Sequence, residues 1–260
     1  GFVGEANGEK AKGSERKLTG SYYTPAALVN ELIKSALEPV MAEAIKINPA
    51  DPRAALLDLK IVDPACGSGH FLLAAARRMA AEIARIEAGS DTPDETARQH
   101  ALREVVQHCI YGVDRNPLAV ELCRTALWIE TIEPGKPLSF LDHHIQCGDS
   151  LVGILDSKII TQGIPDEAYK PLTGDDKDVC NALKKRNREA ENRARHGDLF
   201  VREAASHYRA PAVSLDEMPE ESLDDVATKR ERWQRLHQDP DYLREKHRAD
   251  LFTAAFFAPK

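Results

Sequence analysis

Apolar positions repeat at helical spacing near the start of the chain. Leu28, Val29, Leu32, Ile33 and Leu37 fall on one face, which predicts an amphipathic helix. Pro25 suits its first turn and Thr24 its cap. Pro39 is expected to break or restart this helix, which runs to about Ile47. The pattern then shortens. Residues 59–62 read as a buried strand ending at Asp63-Pro64, followed by a glycine turn and a helix over 71–88 rich in Ala, Leu, Met and Arg. A helix over 93–107, capped by Asp91 or Thr92, leads to a strand over 109–113 that ends at Asp114. A helix over 117–132 leads to a third strand, 144–147, ending at Gly148-Asp149. Strands alternating with helices predict the α/β class, with a parallel sheet covered on both faces.

The texture differs at the two ends. Residues 1–20 are dominated by Gly, Lys, Glu and Ser, a composition expected to be disordered. The α/β core spans 21–155. Residues 156–260 are charged and mainly helical in pattern, over 175–195 and 220–257, punctuated by Pro211, Pro219 and Pro240. Within that segment 157–161 is the one candidate strand.

Composition narrows the classes. Among 260 residues, 42% are hydrophobic and 30% charged, and no apolar run is long enough to span a bilayer. The first residues lack the apolar core of a signal peptide, so a cytoplasmic protein without membrane contact is expected. The net charge of −7 speaks against a stand-alone nucleic-acid module but leaves room for an enzyme that meets DNA through a local surface. Five cysteines are scattered without a Cys-x-x-Cys pair, which argues against a disulfide framework or a zinc site. Cys109, Cys123 and Cys147 lie in apolar surroundings, where a thiol acts as a small hydrophobe. His143 and His144 read as a strand margin rather than metal ligands.

The chemistry sits at three strand ends. Ligands of open α/β sheets bind beyond the carboxyl ends of the strands, so Asp63, Asp114 and Asp149 are expected to converge on one crevice. After Asp63 comes Pro64-Ala65-Cys66-Gly67-Ser68-Gly69. Its glycines let backbone approach a ligand, and the helix behind offers free N–H groups. The third glycine of a dinucleotide fingerprint is missing, and Asp63 would repel a pyrophosphate. A zwitterionic amino acid fits better. Asp114 is placed to accept both hydroxyls of a ribose, and Asp149 with Ser150 to read an adenine amino group. Amino acid, ribose and adenine together describe S-adenosylmethionine.

The stretch from Asp63 to Phe71 resembles the cofactor motif of amino-methyltransferases that act on DNA. Tyr22-Tyr23-Thr24-Pro25 resembles the upstream motif of the gamma-type adenine-N6 group. Tyr111-Gly-Val-Asp114-Arg-Asn-Pro117 and Gly148-Asp149-Ser150-Leu151 follow in the same order. The likeness covers about residues 16–155 and points to the large methylase subunits of bacterial restriction–modification (type II) and phage-defence systems. It implies a partial Rossmann-like S-adenosylmethionine methyltransferase sheet, with double-stranded DNA as partner of the full-length protein. By position, Tyr23 and Thr24 would touch the methionine end of S-adenosylmethionine. Asp63, Ala65, Gly67 and Gly69 would line it, Asp114 would hold the ribose, and Asp149 with Ser150 would flank the adenine.

One motif of the family is missing. Its catalytic Asn-Pro-Pro-aromatic sequence, which meets the flipped adenine, has no counterpart, because this sequence contains no Pro-Pro. Asn116-Pro117 belongs to the loop after the second strand. The expectation is therefore an N-terminal fragment, inactive alone, whose first strand has an open edge available for pairing or self-association. Late helices, a strand near Ile159 or a second copy would cover that edge. Two other readings stay open: a methyltransferase acting on RNA, protein or a small molecule, and a non-catalytic module that binds S-adenosylmethionine.

Overall fold

A computed structural model of the chain describes residues 24–154, 156, 158–197 and 215–260, with side chains excepted over 193–197. The expected disorder over 1–20 and the Tyr22-Tyr23 pair lie outside the described residues.

The protein divides into two compact units. One comprises Gly1–Ser150 and Pro219–Thr228, the other Leu151–Met218 and Lys229–Lys260. Residues 219–228, which the sequence reading leaves in the later helical segment, thus belong with the α/β unit.

Helices α1 (Ala26–Leu32) and α2 (Glu38–Ile47) are joined without a break by a π-helical turn, Ile33–Leu37. Pro39 lies in the first turn of α2. Proline has no N–H to donate and its ring crowds the preceding turn, and the wider π turn takes up that defect, so the helix persists. Pro25, rather than Thr24, is the residue preceding α1, and no side chain caps it. A short α3 (Pro52–Leu57) was not expected from periodicity; the Asp51 carboxylate caps it by accepting from Ala54 N–H at 2.9 Å.

The sheet is three parallel strands in the order β1 (Ile61–Asp63), β2 (Ile110–Asp114), β3 (Ile145–Cys147). Ile61 pairs with Ile110, and Gly112 with Ile145. Between β1 and β2 the chain forms α4 (His70–Ala88) and α5 (Glu95–His108), and α6 (Pro117–Glu130) connects β2 to β3. The cap of α5 is Asp94, whose carboxylate accepts from Ala97 N–H at 2.6 Å. It displaces Asp91 and Thr92 because only Asp94 stands three residues before that N–H.

The core lies where these helices meet the sheet. Leu72, Met79 and Ile83 of α4, Val105 and Val106 of α5, Leu127 of α6, and Ile110 and Ile145 are all buried. Full burial of each such side chain contributes about 1.5–3 kcal/mol. Cover on both faces is incomplete: Val62 is 61% exposed, and β1 pairs only with β2 among the described residues. The far edge is blunted, since Arg124 of α6 donates to the Ile145 carbonyl. Ion pairs tie the helices together, Arg53 to Glu87 and Glu104, Arg78 to Glu38 and Glu82.

Residues 219–228 enter this unit through Glu220, which is buried. Its carboxylate accepts from Gln107 Nε2 at 2.9 Å and from Phe140 N–H at 3.2 Å, and its carbonyl accepts from Arg103.

The second unit is helical. It holds α7 (Lys158–Thr161), a 3₁₀ turn (Asp166–Tyr169), α8 (Lys177–Gly197) and α10 (Pro240–Phe257). Helix α9 (Leu223–Gln238) has residues in both units. The candidate strand over 157–161 is thus a helix over its described residues, and no strand near Ile159 is available to cover β1. Asp166 pairs with Lys184 and Arg188. The Lys260 N–H donates to Asp175 at 3.0 Å, which with the Leu172 N–H holds that carboxyl below its ordinary value. No described helix is long and apolar enough to cross a membrane.

Candidate functional site at the strand ends

Residues 64–69 connect β1 to α4. Gly67 and Gly69 have φ of +54° and +86°, left-handed values that favour glycine. The turn is closed from within by Gly69 N–H donating to the Cys66 carbonyl at 2.8 Å, and anchored to the sheet by Cys66 N–H donating to the Val113 carbonyl at 2.9 Å.

The three strand-end acids are each held by this arrangement. Asp63 accepts from Ala65 N–H at 3.0 Å. Asp114 accepts from Gly67 N–H at 2.9 Å with one oxygen and from Asn116 N–H at 2.8 Å with the other. Asp149 pairs with Arg115 at 3.3 Å. Ser150 donates its hydroxyl to the Pro64 carbonyl at 2.7 Å, and Gly148 N–H donates to the Asp114 carbonyl at 2.9 Å. The loops after β1, β2 and β3 therefore form one hydrogen-bonded cluster containing Asp63, Ala65, Gly67, Gly69, Asp114, Asp149 and Ser150. Thr24 makes no hydrogen bond to it among the described residues, and Tyr23 lies outside them.

Asp114 is not the cap of α6. Asn116 has that role, accepting from Leu118 N–H at 3.0 Å ahead of Pro117. This frees the Asp114 carboxylate for the loop. Beside Gly67, open space lies where a Cβ would project, so a ligand has access to the backbone there.

Two residues of the cluster escaped the sequence reading. Arg115 lies within the motif after the second strand but has no role assigned there, and its side chain is 80% exposed apart from the Asp149 contact. Cys123 of α6 is buried against the loop. A Cβ on Gly69 would lie 2.7 Å from its Sγ. Interaction with the Cys123 thiol pulls the Cys66 thiol below its ordinary pKa, against burial and the charges of Asp63 and Asp114, and pushes the Cys123 thiol up. Cys147, expected among apolar neighbours, is exposed because it ends β3 at the sheet margin. His144 is buried and stacked on Tyr111, with Nδ1 2.8 Å from the Ile110 carbonyl.

An apolar groove of about 460 Å³ borders this cluster at Asp63. Leu32, Leu37, Val40, Val62 and Phe71 are among its walls. Gly67, Asp114 and Asp149 are not part of it, so the groove meets the acid cluster at Asp63 and Pro64 alone.

Comparison with known proteins places the chain among similar sequences. The family model described as N-6 DNA Methylase matches residues 9–153. A protein of Methanocaldococcus jannaschii that bears the name of a type II restriction enzyme and methyltransferase is 26% identical over 193 residues. The match covers 55% of this chain and 15% of that protein. The adenine-specific methyltransferase PglX of Streptomyces coelicolor is 32% identical over 114 residues, covering 41% of this chain and 9% of its own length. The chain thus spans less than a sixth of either relative. No solved structure matches it.

Proposed function

The chain belongs to the N-6 DNA methylase family, and on that premise we propose that its α/β unit binds S-adenosylmethionine for methyl transfer to adenine N6 in double-stranded DNA. The observation that carries this reading is the joining of three acidic strand ends into one cluster around a left-handed glycine loop. The three strands are then part of a Rossmann-like methyltransferase sheet. The catalytic Asn-Pro-Pro-aromatic motif, absent from this sequence, belongs to a longer protein of the kind its relatives represent, a methyltransferase of a restriction–modification system.

The residues fit the cofactor by their chemistry. Asp63 offers a carboxylate to an ammonium group, and the exposed backbone at Gly67 admits a ligand without Cβ contact. Asp114, fixed by two backbone N–H groups, presents an ionised acceptor to ribose hydroxyls, where a charge-assisted hydrogen bond contributes about 1.5–3 kcal/mol. By the family's pattern Asp149 and Ser150 would flank the adenine, and Tyr23 and Thr24 would meet the methionine end. When bound, the cofactor supplies an activated methyl group on a sulfonium. The protein's task is then to orient it and to place charge. The unpaired β1 edge supports self-association by strand addition, read by light scattering over a concentration series.

Calorimetric titration with S-adenosylmethionine tests the site. Saturable binding is expected, weakened about 10-fold or more in Asp114→Ala. A folded chain that ignores the ligand, or a variant that binds as well as the parent, would sink the reading. Methylation of adenine by the longer protein, lost with the same substitution, tests the reaction.

A further inference from the structure

The outward face of α6 is apolar. Leu118, Leu122 and Ile129 are 66%, 51% and 64% exposed, and Thr125 between them faces solvent too. The opposite face is already used, with Val120, Cys123 and Leu127 buried toward the sheet and α4. A helix that is apolar on both sides is built to be covered on both. The spacing shows what kind of cover fits. Positions 118, 122, 125, 129 and 132 follow one another at intervals of four, three, four and three. That alternation is the 3.5-residue seam by which one helix receives another. Thr125 suits the seam, because its hydroxyl donates to the Glu121 carbonyl of its own helix at 2.8 Å and needs nothing across it.

We propose that this row is the interface between two copies of the chain, paired α6 to α6 and antiparallel about a two-fold axis between Cys123 and Arg124. Leu118 then packs on Ile129 of the other copy and Leu122 on Thr125, and the two-fold repeats both layers. Ala119 meets Ala126 along one flank, where small side chains allow close approach. Glu121 lies beside Trp128 of the other copy along the other flank. Pairing through α6 is independent of the cofactor reading, and it uses a different surface from the β1 edge.

Charge selects this partner and this direction. The row carries no cation among the described residues, so it offers nothing to the phosphates of a nucleic acid. Arg124 is engaged by the Ile145 carbonyl, and Glu130 by Arg77. Glu121, beside the row, pairs with Arg124 of its own helix at 2.8 Å. Antiparallel order opposes the two helix dipoles, whereas a parallel pair would set both Glu121 carboxylates at one level. The exposed apolar surface of Leu118, Leu122, Ile129 and the 55% exposed Ile132 amounts to roughly 400 Å², in the range of functional patches. A stable complex buries about 800 Å² per partner, so the pair is a weak dimer that forms with concentration.

Sedimentation equilibrium of the chain, over a series rising to millimolar concentration, tests the pair. A reversible monomer–dimer equilibrium is expected. Leu122→Lys or Ile129→Lys should weaken it about 100-fold or more, because each copy would bring a lysine into the seam. Val62→Lys, on the β1 edge, should leave it unchanged. A monomer throughout, or association that Leu122→Lys spares and Val62→Lys removes, would overturn the interface. Cross-linking reads the arrangement without a disruptive charge. In a Cys147→Ser background, which removes the exposed thiol, Leu118→Cys and Ile129→Cys chains are mixed and treated with a short bismaleimide. Dimers joining one chain of each kind, resolved by intact mass, are expected in the mixture, with little from either chain alone. Dimers of a variant with itself that form as readily as mixed ones would overturn the antiparallel pair, as would a mixture that yields none.

Discussion

Gly69 and Cys123 share one space: the Cβ that the glycine lacks would stand 2.7 Å from the Cys123 sulfur. Gly69 also has φ of +86°. Gly69→Ala therefore meets two separate penalties, a left-handed backbone and a steric clash, and should destabilise the chain by about 1–3 kcal/mol. Removing the sulfur removes only the clash. In a double-mutant cycle read by denaturant unfolding, Cys123→Ala should recover part of the loss and leave the remainder. Simple additivity would show that the two residues do not compete.

The Arg115 and Asp149 pair poses the opposite case, since both partners face solvent. Exposed pairs contribute about 0.2–1 kcal/mol, so Arg115→Ala should hardly move the unfolding midpoint. On the proposed reading, in which Asp149 would flank the adenine, the arginine competes with the ligand. The same variant should bind S-adenosylmethionine up to about fivefold more tightly. Weaker binding in calorimetry would instead make Arg115 a ligand contact.

Acid should loosen the α4 surface in a traceable way. Glu82 accepts from Arg85, and also from Arg78, and these bonds hold its carboxyl below the ordinary glutamate value of 4.5. A depressed folded-state pKa gives stability that is present above the unfolded value and lost as the pH falls through the folded one. Thermal unfolding measured downward from pH 5 should therefore fall less steeply in Glu82→Gln than in the parent, by about 2–4 °C across the range. Parallel curves would contradict the assignment.

Glu220 holds a buried donor, the Phe140 N–H, and a part-buried one, the Gln107 amide, from distant parts of the unit. Glu220→Ala removes the acceptor of the Phe140 N–H, at about 1–3 kcal/mol for a group left unsatisfied, while the Gln107 amide keeps its bond to Ser139 Oγ at 3.1 Å. Thermal unfolding should register the loss, and Glu220→Gln should recover part of it. A surface-like change of under about 0.5 kcal/mol would mean that water replaces the carboxylate.

Much of this was legible in the sequence because it is local. The strands ending at Asp63 and Asp114 and the α4 and α6 helices follow from periodicity, and the glycine turn from its composition. Clustering of the three acids followed from sheet topology. What escaped was set by contacts remote in sequence or by single side chains. Asp94 beat Asp91 and Thr92 to the α5 cap through one hydrogen bond. Pro39 failed to break its helix because a π turn upstream absorbed the misfit. Ile159 and Ile160 gave β-branched bait for a strand, and local hydrogen bonding made a helix. Nothing at position 123 indicated a contact with the glycine turn 54 residues away.

The Glu220 contact also bears on the order in which the chain can assemble. Arg103 and Glu220 are 117 positions apart, and the α/β unit resumes only at Pro219 after leaving at Ser150. During synthesis, β1, β2 and β3 emerge long before the residue that satisfies Phe140 and Gln107. Closing so large a loop adds little equilibrium cost, since each doubling of length adds about 0.6 kcal/mol, but long-range closure slows folding. The contacts that Glu220 makes with Phe140, Gln107 and Arg103 can therefore form only after Glu220 has left the ribosome.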